Sequence, residues 1–339
     1  IKHKNIFKFQ NYNLTKNILD YFKLSLSEEI FKFNEKINLA NNYFIKNKPK
    51  LIISHNSFLM GHFLAEFSRY NNIPSLVISH GTHTFNKDKK IFSEWKESSK
   101  YLMNPLYDYI GAQSPLTNNF LIKNNLKKKI IKTGPVIFSH KSKIESNNLI
   151  NKKIRKKTIL HASTPKEFKS LRPLTFEIAE EYIKQINTII SVVDKMNNFR
   201  LIIKFRPIKG LSYETFKESL IDSKNYTISI DETLGSLLNI SDCLISYSST
   251  VIEEMLNYKK PVILFDSFKR YCHVSDRYIK NNLRFKLGPI NYLTNISQLK
   301  KSLKSLENID MNKFQKNKFW SQFVYPVDKN IDWIENIKF

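Results

Sequence analysis

SYSSTVIEEMLNYKKPVILFD, Ser246 to Asp266, places a cluster of hydroxyls ahead of two carboxylates, a turn of apolar residues at helical spacing, and a short apolar run after a proline. DCLISYSS (242–249) reads as a strand, TVIEEMLNYK as a helix and PVILFD (261–266) as a second strand. Strands that alternate with helices require crossover connections, and these pair the strands in parallel.

The same rhythm runs outward in both directions. Upstream lie the strands TILHAST (158–164), RLIIKFRP (200–207) and YTISI (226–230). The helix patterns FEIAEEYIKQINTIISVVDKM, YETFKESLI and LGSLLNIS fall between and after them. A second alternating block precedes these, with strands at LIIS (51–54), SLVIS (75–79), YDYIGAQS (107–114) and KKIIKTGP (128–135). Residues 1–48 read as helices joined by loops. The polar, lysine-rich stretch between about 138 and 157 reads as a linker. A chain of 339 residues exceeds the usual size of one domain. The expectation is therefore an α/β protein with two Rossmann-like domains facing a central cleft. Its divisions would be 1–145, 146–320 and a tail, 321–339, that crosses back to the first domain.

Composition narrows the function classes. Hydrophobic residues at 41% and aromatics at 13% suffice for real cores. Seven glycines and eleven prolines exclude collagen-like and low-complexity chains. Two cysteines, Cys243 and Cys272, are too few for a disulfide framework or a zinc cluster and fit a reducing cytoplasm. No apolar run reaches the roughly 18 residues of a membrane span, and no secretory leader is read. The chain opens on Ile1 instead of Met, which leaves room for upstream strands.

The net charge of +25 has several sources. It suits nucleic acid, an anionic membrane face or an anionic acceptor. Only eight of the 55 cations are arginine, the preferred reader of base edges, and an excess of Lys, Asn and Ile is also what an AT-rich genome produces. Helix-turn-helix, zinc-finger and RNP-type signatures are absent, so nucleic acid is not the expected partner.

Ligands of open parallel sheets sit beyond the carboxyl ends of the strands, and the chemistry-bearing residues cluster there. Ser249 or Thr250 can cap the helix that follows, and its exposed N–H groups favour a phosphate. Capping alone explains such residues equally well. Glu254 can reach ribose hydroxyls, and the other glutamate of the pair complements the helix dipole. KFRP brings Lys204 and Arg206 to a strand end, and HASTP (161–165) brings hydroxyls, with Lys166 and Arg172 following. Among the upstream strands, ISHNS and ISHGTHT offer His55, His80 and His83 as general bases. DxD, GxGxxG and GxxxxGK[ST] patterns are absent.

The block SDCLISYSSTVIEEMLNYKKPVILFD (241–266) resembles the donor-site signature of GT-B glycosyltransferases. The likeness is nearest to the surface-polysaccharide group of CDP-glycerol glycerophosphotransferases and bacterial sialyl and Kdo transferases. UDP-N-acetylglucosamine 2-epimerases share much of it. TILHASTPKEFKSLRP, LIIKFRP, IPSLVISHGT and KKIIKTGP resemble further segments of that group, so the likeness covers roughly residues 50–270.

The resemblance implies that Ser248, Ser249 and Thr250 hold donor phosphate, that Glu254 holds the ribose and that Thr164 lines the phosphate side. Lys204 and Arg206 would stabilise the leaving nucleotide without a metal or other cofactor. Arg206 stands where those families carry the histidine of a His-Pro pair. The acidic pair plus glycine of bacterial sialyltransferases is missing, which leaves His80, then His55 or His83, as the base. The expected function is transfer of a sugar or polyol phosphate from a CMP-, CDP- or UDP-type donor to a capsule- or lipopolysaccharide-type glycan or a lipid-linked glycan. The enzyme would be cytoplasmic, with peripheral contact at the inner membrane face. The alternatives are a sugar-nucleotide epimerase on the same fold and a non-enzymatic module that binds polyanions or nucleic acid.

Overall fold

The computed structural model describes residues 8–9, 12–79, 89, 93, 103, 106–126, 129–138, 156–163, 165, 177–208, 210–269, 273–279, 283–326, 334–335 and 337. A short antiparallel pair, β1 (Lys8–Phe9) and β2 (Tyr12–Asn13), precedes the helix α1 (Thr15–Lys46). Residues 1–48 were expected to break into several helices. Thr15 to Lys46 instead form one, because that stretch contains no Gly or Pro to interrupt it.

Two parallel sheets follow. The first comprises β3 (Ile52–Ser54), β4 (Ser75–Ile78), β5 (Tyr109–Ala112) and β6 (Ile130–Lys132), side by side in chain order. Helices α2 (Met60–Tyr70) and α3 (Pro115–Lys123) cover it. Gln113, just past β5, ties this sheet's carboxyl edge together. Its Nε2 donates to the Ser79 carbonyl at 2.7 Å, and its Oε1 accepts from the Ile137 N–H at 2.7 Å.

The second sheet has six strands in the order β12-β11-β10-β7-β8-β9. They are β7 (Lys157–Ala162), β8 (Phe199–Lys204), β9 (Tyr226–Ser229), β10 (Cys243–Ile245), β11 (Val262–Phe265) and β12 (Ile290–Leu293). In order of appearance this is 3-2-1-4-5-6 reversed end for end, the doubly wound arrangement. The connecting helices are α4 (Ala179–Asp194), α5 (Tyr213–Glu218), α6 (Leu234–Ile240) and α7 (Val251–Asn257), and after β12 come α8 (Ile296–Glu307) and α9 (Met311–Gln315).

Why α4 forms here is plain from its spacing. Tyr182, Ile186, Ile189, Ile190 and Val193 recur every three or four residues and all are buried against the sheet. Full burial of one such aliphatic side chain contributes about 1.5–3 kcal/mol relative to exposure. The architecture is thus α/β with two Rossmann-like units, and α3 bridges them. Leu116 of α3 joins the core of the second unit, and the Asn119 amide donates to the Tyr278 hydroxyl at 3.0 Å. Ile337 packs against Leu76, Ile78 and Ile131 of the first sheet.

The loop after β3 is clamped onto α2. A Cβ at Gly61 would lie 2.1 Å from the Asn56 carbonyl oxygen, and the Tyr107 hydroxyl donates to the Gly61 carbonyl. Gly61→Ala is therefore expected to lower stability by about 1–3 kcal/mol through overpacking. Chemical denaturation measures this, and an unchanged midpoint would show that the loop simply moves aside.

Candidate functional site

The order of the second sheet reverses between β7 and β10, and both chains leave those strands at the same edge. The loop after β7 begins at Ser163, and the loop after β10 is Ser246–Thr250. This is the topological switch point, where open α/β sheets leave a crevice for a ligand.

Two tyrosines brace the crevice. Tyr182 of α4 donates its hydroxyl to the Ser163 carbonyl at 2.9 Å. Tyr247, in the loop after β10, donates its hydroxyl to the buried Glu177 carboxylate just ahead of α4. Burial pushes the Tyr182 phenol up, and Glu177 nearby adds to the effect, so it stays a neutral donor at all ordinary pH.

Ser246 and Ser248 are buried, while Ser249 and Thr250 are half-buried at the mouth of α7. Thr250 occupies the cap position but makes no side-chain capping bond; Ser249 Oγ accepts a long 3.4 Å contact from the Val251 N–H. Capping therefore accounts for little of this hydroxyl cluster. The Ser246 hydroxyl and His161 Nδ1 are both buried without a hydrogen-bond partner in the structure. The two lie at the ends of the strands that flank the switch point, since His161 pairs with Ile245 in register.

Both glutamates lie in the first turn of α7 and both are buried. Glu253 was expected to complement the helix dipole. It lies in the first turn, as that role requires, and is also buried against His273, with Oε1 3.2 Å from Nε2. Glu254 is one residue further round the helix and is also buried.

Lys260, read in sequence as part of the block before Pro261, has a structural role. Its ammonium donates to the carbonyls of Leu238, Asn239 and Ser241, each at 2.7 Å, and so closes the end of α6.

The remaining expected residues fall as follows. Lys204, at the end of β8, donates to the carbonyls of Ile230 and, at 2.8 Å, of Glu232, which directs its charge to the loop after β9. Arg206 is exposed two residues later. His55 is exposed at the end of β3, its Nε2 2.8 Å from the Asn56 side-chain nitrogen. His80, His83 and Thr164 lie outside the described residues, as do Lys166, Arg172 and most of the 138–157 stretch.

His161 was not singled out by sequence, although the pattern T-I-L-H within a buried strand puts an imidazole in the interior. Burial lowers its pKa from 6.5 to about 4. Above pH 6.5 the imidazole is neutral in the folded and unfolded chain alike, so it does not alter stability. As pH falls from 6.5 toward 4 the unfolded chain takes up a proton that the folded chain refuses, and stability drops by up to roughly 3 kcal/mol. His161→Leu should flatten the stability–pH curve in that window, followed by denaturant titrations at stepped pH. An unaltered slope would assign the acid sensitivity to other groups.

No protein-family model matches the chain, and no curated protein matches it in sequence. Solved structures share its fold at low identity. The UDP-GlcNAc 2-epimerase of Methanocaldococcus jannaschii, in complex with UDP-GlcNAc and UDP, aligns with a TM-score of 0.55 at 15% identity, over 86% of this chain and 78% of that one. The Neisseria meningitidis UDP-GlcNAc 2-epimerase bound to UDP-GlcNAc gives 0.54 at 16%, over 86% and 75%. The glycotransferase of kitacinnamycin gives 0.52 at 10%, over 85% and 75%. The fold is that of the GT-B enzymes.

Proposed function

We propose that this chain binds a UDP-type sugar nucleotide at the switch point of its second sheet and acts on the sugar as an epimerase. One observation carries the nucleotide reading: the Ser246–Thr250 cluster, with Glu254 close behind, occupies the loop after β10 at the point where strand order reverses. In this reading Ser248, Ser249 and Thr250 contact the diphosphate and Glu254 accepts from the ribose hydroxyls, while Thr164 is assigned to the phosphate side by the family resemblance alone. Arg206 supplies positive charge to the leaving nucleotide, and Lys204 acts through the loop carbonyls that it holds. The epimerase reading draws on UDP-GlcNAc 2-epimerases recurring among the structures with this fold.

Transfer to a glycan acceptor is the second reading, and one feature favours it. Among the described residues, the carboxyl-edge loops of the first sheet present His55 and Asn56, and no carboxylate. Attack by an acceptor hydroxyl needs one base, which a histidine such as His55, His80 or His83 provides.

Both readings predict that Ser249→Ala combined with Thr250→Ala weakens UDP binding by about tenfold to 100-fold, the worth of hydrogen bonds to a charged group. Calorimetric titration measures this, and an unchanged affinity would remove the phosphate role from the pair. Incubation with UDP-GlcNAc in deuterated water separates the readings. An epimerase that inverts carbon 2 by removing its proton and returning one from solvent to the other face places deuterium at that carbon. A transferase leaves that carbon protonated and releases UDP when a glycan acceptor is added.

A further inference from the structure

The second unit carries a cavity of about 910 Å³ away from the switch point. It lies between the segment that leads into β12 and the carboxyl-terminal end of α8. The opposite edge of the sheet is identified by Lys157. This first residue of β7 donates its ammonium to the Leu306 carbonyl, in the last turn of α8, at 2.6 Å. The cavity thus opens at the amino ends of the strands, whereas the crevice opens at their carboxyl ends. The six residues of β7 separate the two by on the order of 20 Å.

The lining has two chemistries. Its floor is apolar, with half-buried Leu283 and Ile309 over the buried rings of Phe285 and Phe314, which meet edge to face at 6.4 Å. Its rim carries Arg284, Lys286, Lys301, Lys304 and Lys313 against one carboxylate, Asp310. Asp310 is already engaged, capping α9 through the N–H groups of Asn312 and Lys313 and pairing with the Lys313 ammonium at 3.8 Å. Lys286, Lys301 and Lys304 make no ion pair among the described residues. Lys301 and Lys304 stand one turn apart on α8, so their ammonium groups act on the same ligand.

We propose that this cavity seats an anionic phospholipid, its phosphate among the rim lysines and its upper acyl segment on the aromatic floor, and so docks the protein on a membrane surface. A free polyanion would satisfy the rim but not the floor, and an apolar ligand would satisfy the floor but not the rim. An amphiphile with a negative head satisfies both. Among the described residues no helix is long and apolar enough to cross a membrane. The opposed edges leave the crevice open while the cavity is filled.

Because the chain carries +25 overall, the test must separate place from charge. Full-length protein is sedimented with phosphatidylcholine vesicles, with and without about 30% phosphatidylglycerol. It is compared with Lys286→Glu/Lys301→Glu/Lys304→Glu and with a charge-matched control, Lys184→Glu/Lys195→Glu/Lys217→Glu, on exposed positions elsewhere. Partition of the wild type to the anionic vesicles should fall by about 100-fold in the first variant and much less in the control. An equal loss in both variants, or no binding by the wild type, would overturn the proposal. So would displacement of the wild type by millimolar pyrophosphate but not by sodium chloride of equal ionic strength, which would make this a site for soluble phosphates. Circular dichroism of both variants checks that each remains folded.

Discussion

The reversal of strand order between β7 and β10 is the constraint from which the candidate site follows. A right-handed crossover from β7 to β8 places α4 on one face of the sheet, and the connections after the return place α7 on the other, against β10 and β11. The helices that follow β7 and β10 therefore lie on opposite faces of the sheet, and a gap is expected where the strand order reverses. No particular side chain is needed to open that gap. Side chains decide what it holds.

What they do here is hold both walls still while leaving polar atoms unused. Tyr182 and Tyr247 each fasten one wall to the region around the start of α4. Lys260 closes α6, the helix that delivers the chain to β10, and Asp242 accepts from the Thr158 N–H at 2.8 Å to align the two strands at their other ends. Among the described residues four buried side-chain atoms lack a hydrogen-bond partner: the Ser246 hydroxyl and His161 Nδ1 on the strands beside the switch point, and Asn291 Oδ1 and the Tyr325 hydroxyl elsewhere. An unmet buried polar group costs about 1–3 kcal/mol, a penalty that a ligand or a trapped water relieves.

Much of this was legible from local pattern. The strands from β3 to β11 coincide with the apolar runs read from the sequence, β7 and β8 starting one residue earlier, because a buried parallel strand is a contiguous apolar segment bounded by breakers. β12 escaped notice: INYL carries Asn291 at its centre, and only the 2.9 Å bond from its amide to Ser302 in α8 makes that residue tolerable in a core. The partner of Glu253 was also invisible, since His273 lies twenty positions away and their pairing depends on how the chain returns after β11. Lys260 shows the same limit. Its position before Pro261 is a pattern, but its work depends on three carbonyls that converge only in space. Local periodicity reports which residues are buried, and it is silent on which polar groups meet.

The lysine excess becomes interpretable on the same terms. Lys157, Lys204 and Lys260 spend their charge on backbone carbonyls, and Lys23, Lys32 and Lys313 pair with carboxylates three positions away. Such cations add to the formal charge but offer little to a partner. Beyond about 8–10 Å in physiological salt, scattered surface charges are screened from one another and do not act as one patch. The rim lysines differ because several, making no ion pair among the described residues, line one cavity above an apolar floor. Net charge alone therefore says little about what this protein binds, whereas the grouping of its unspent charges, and the surface beneath them, selects among anions.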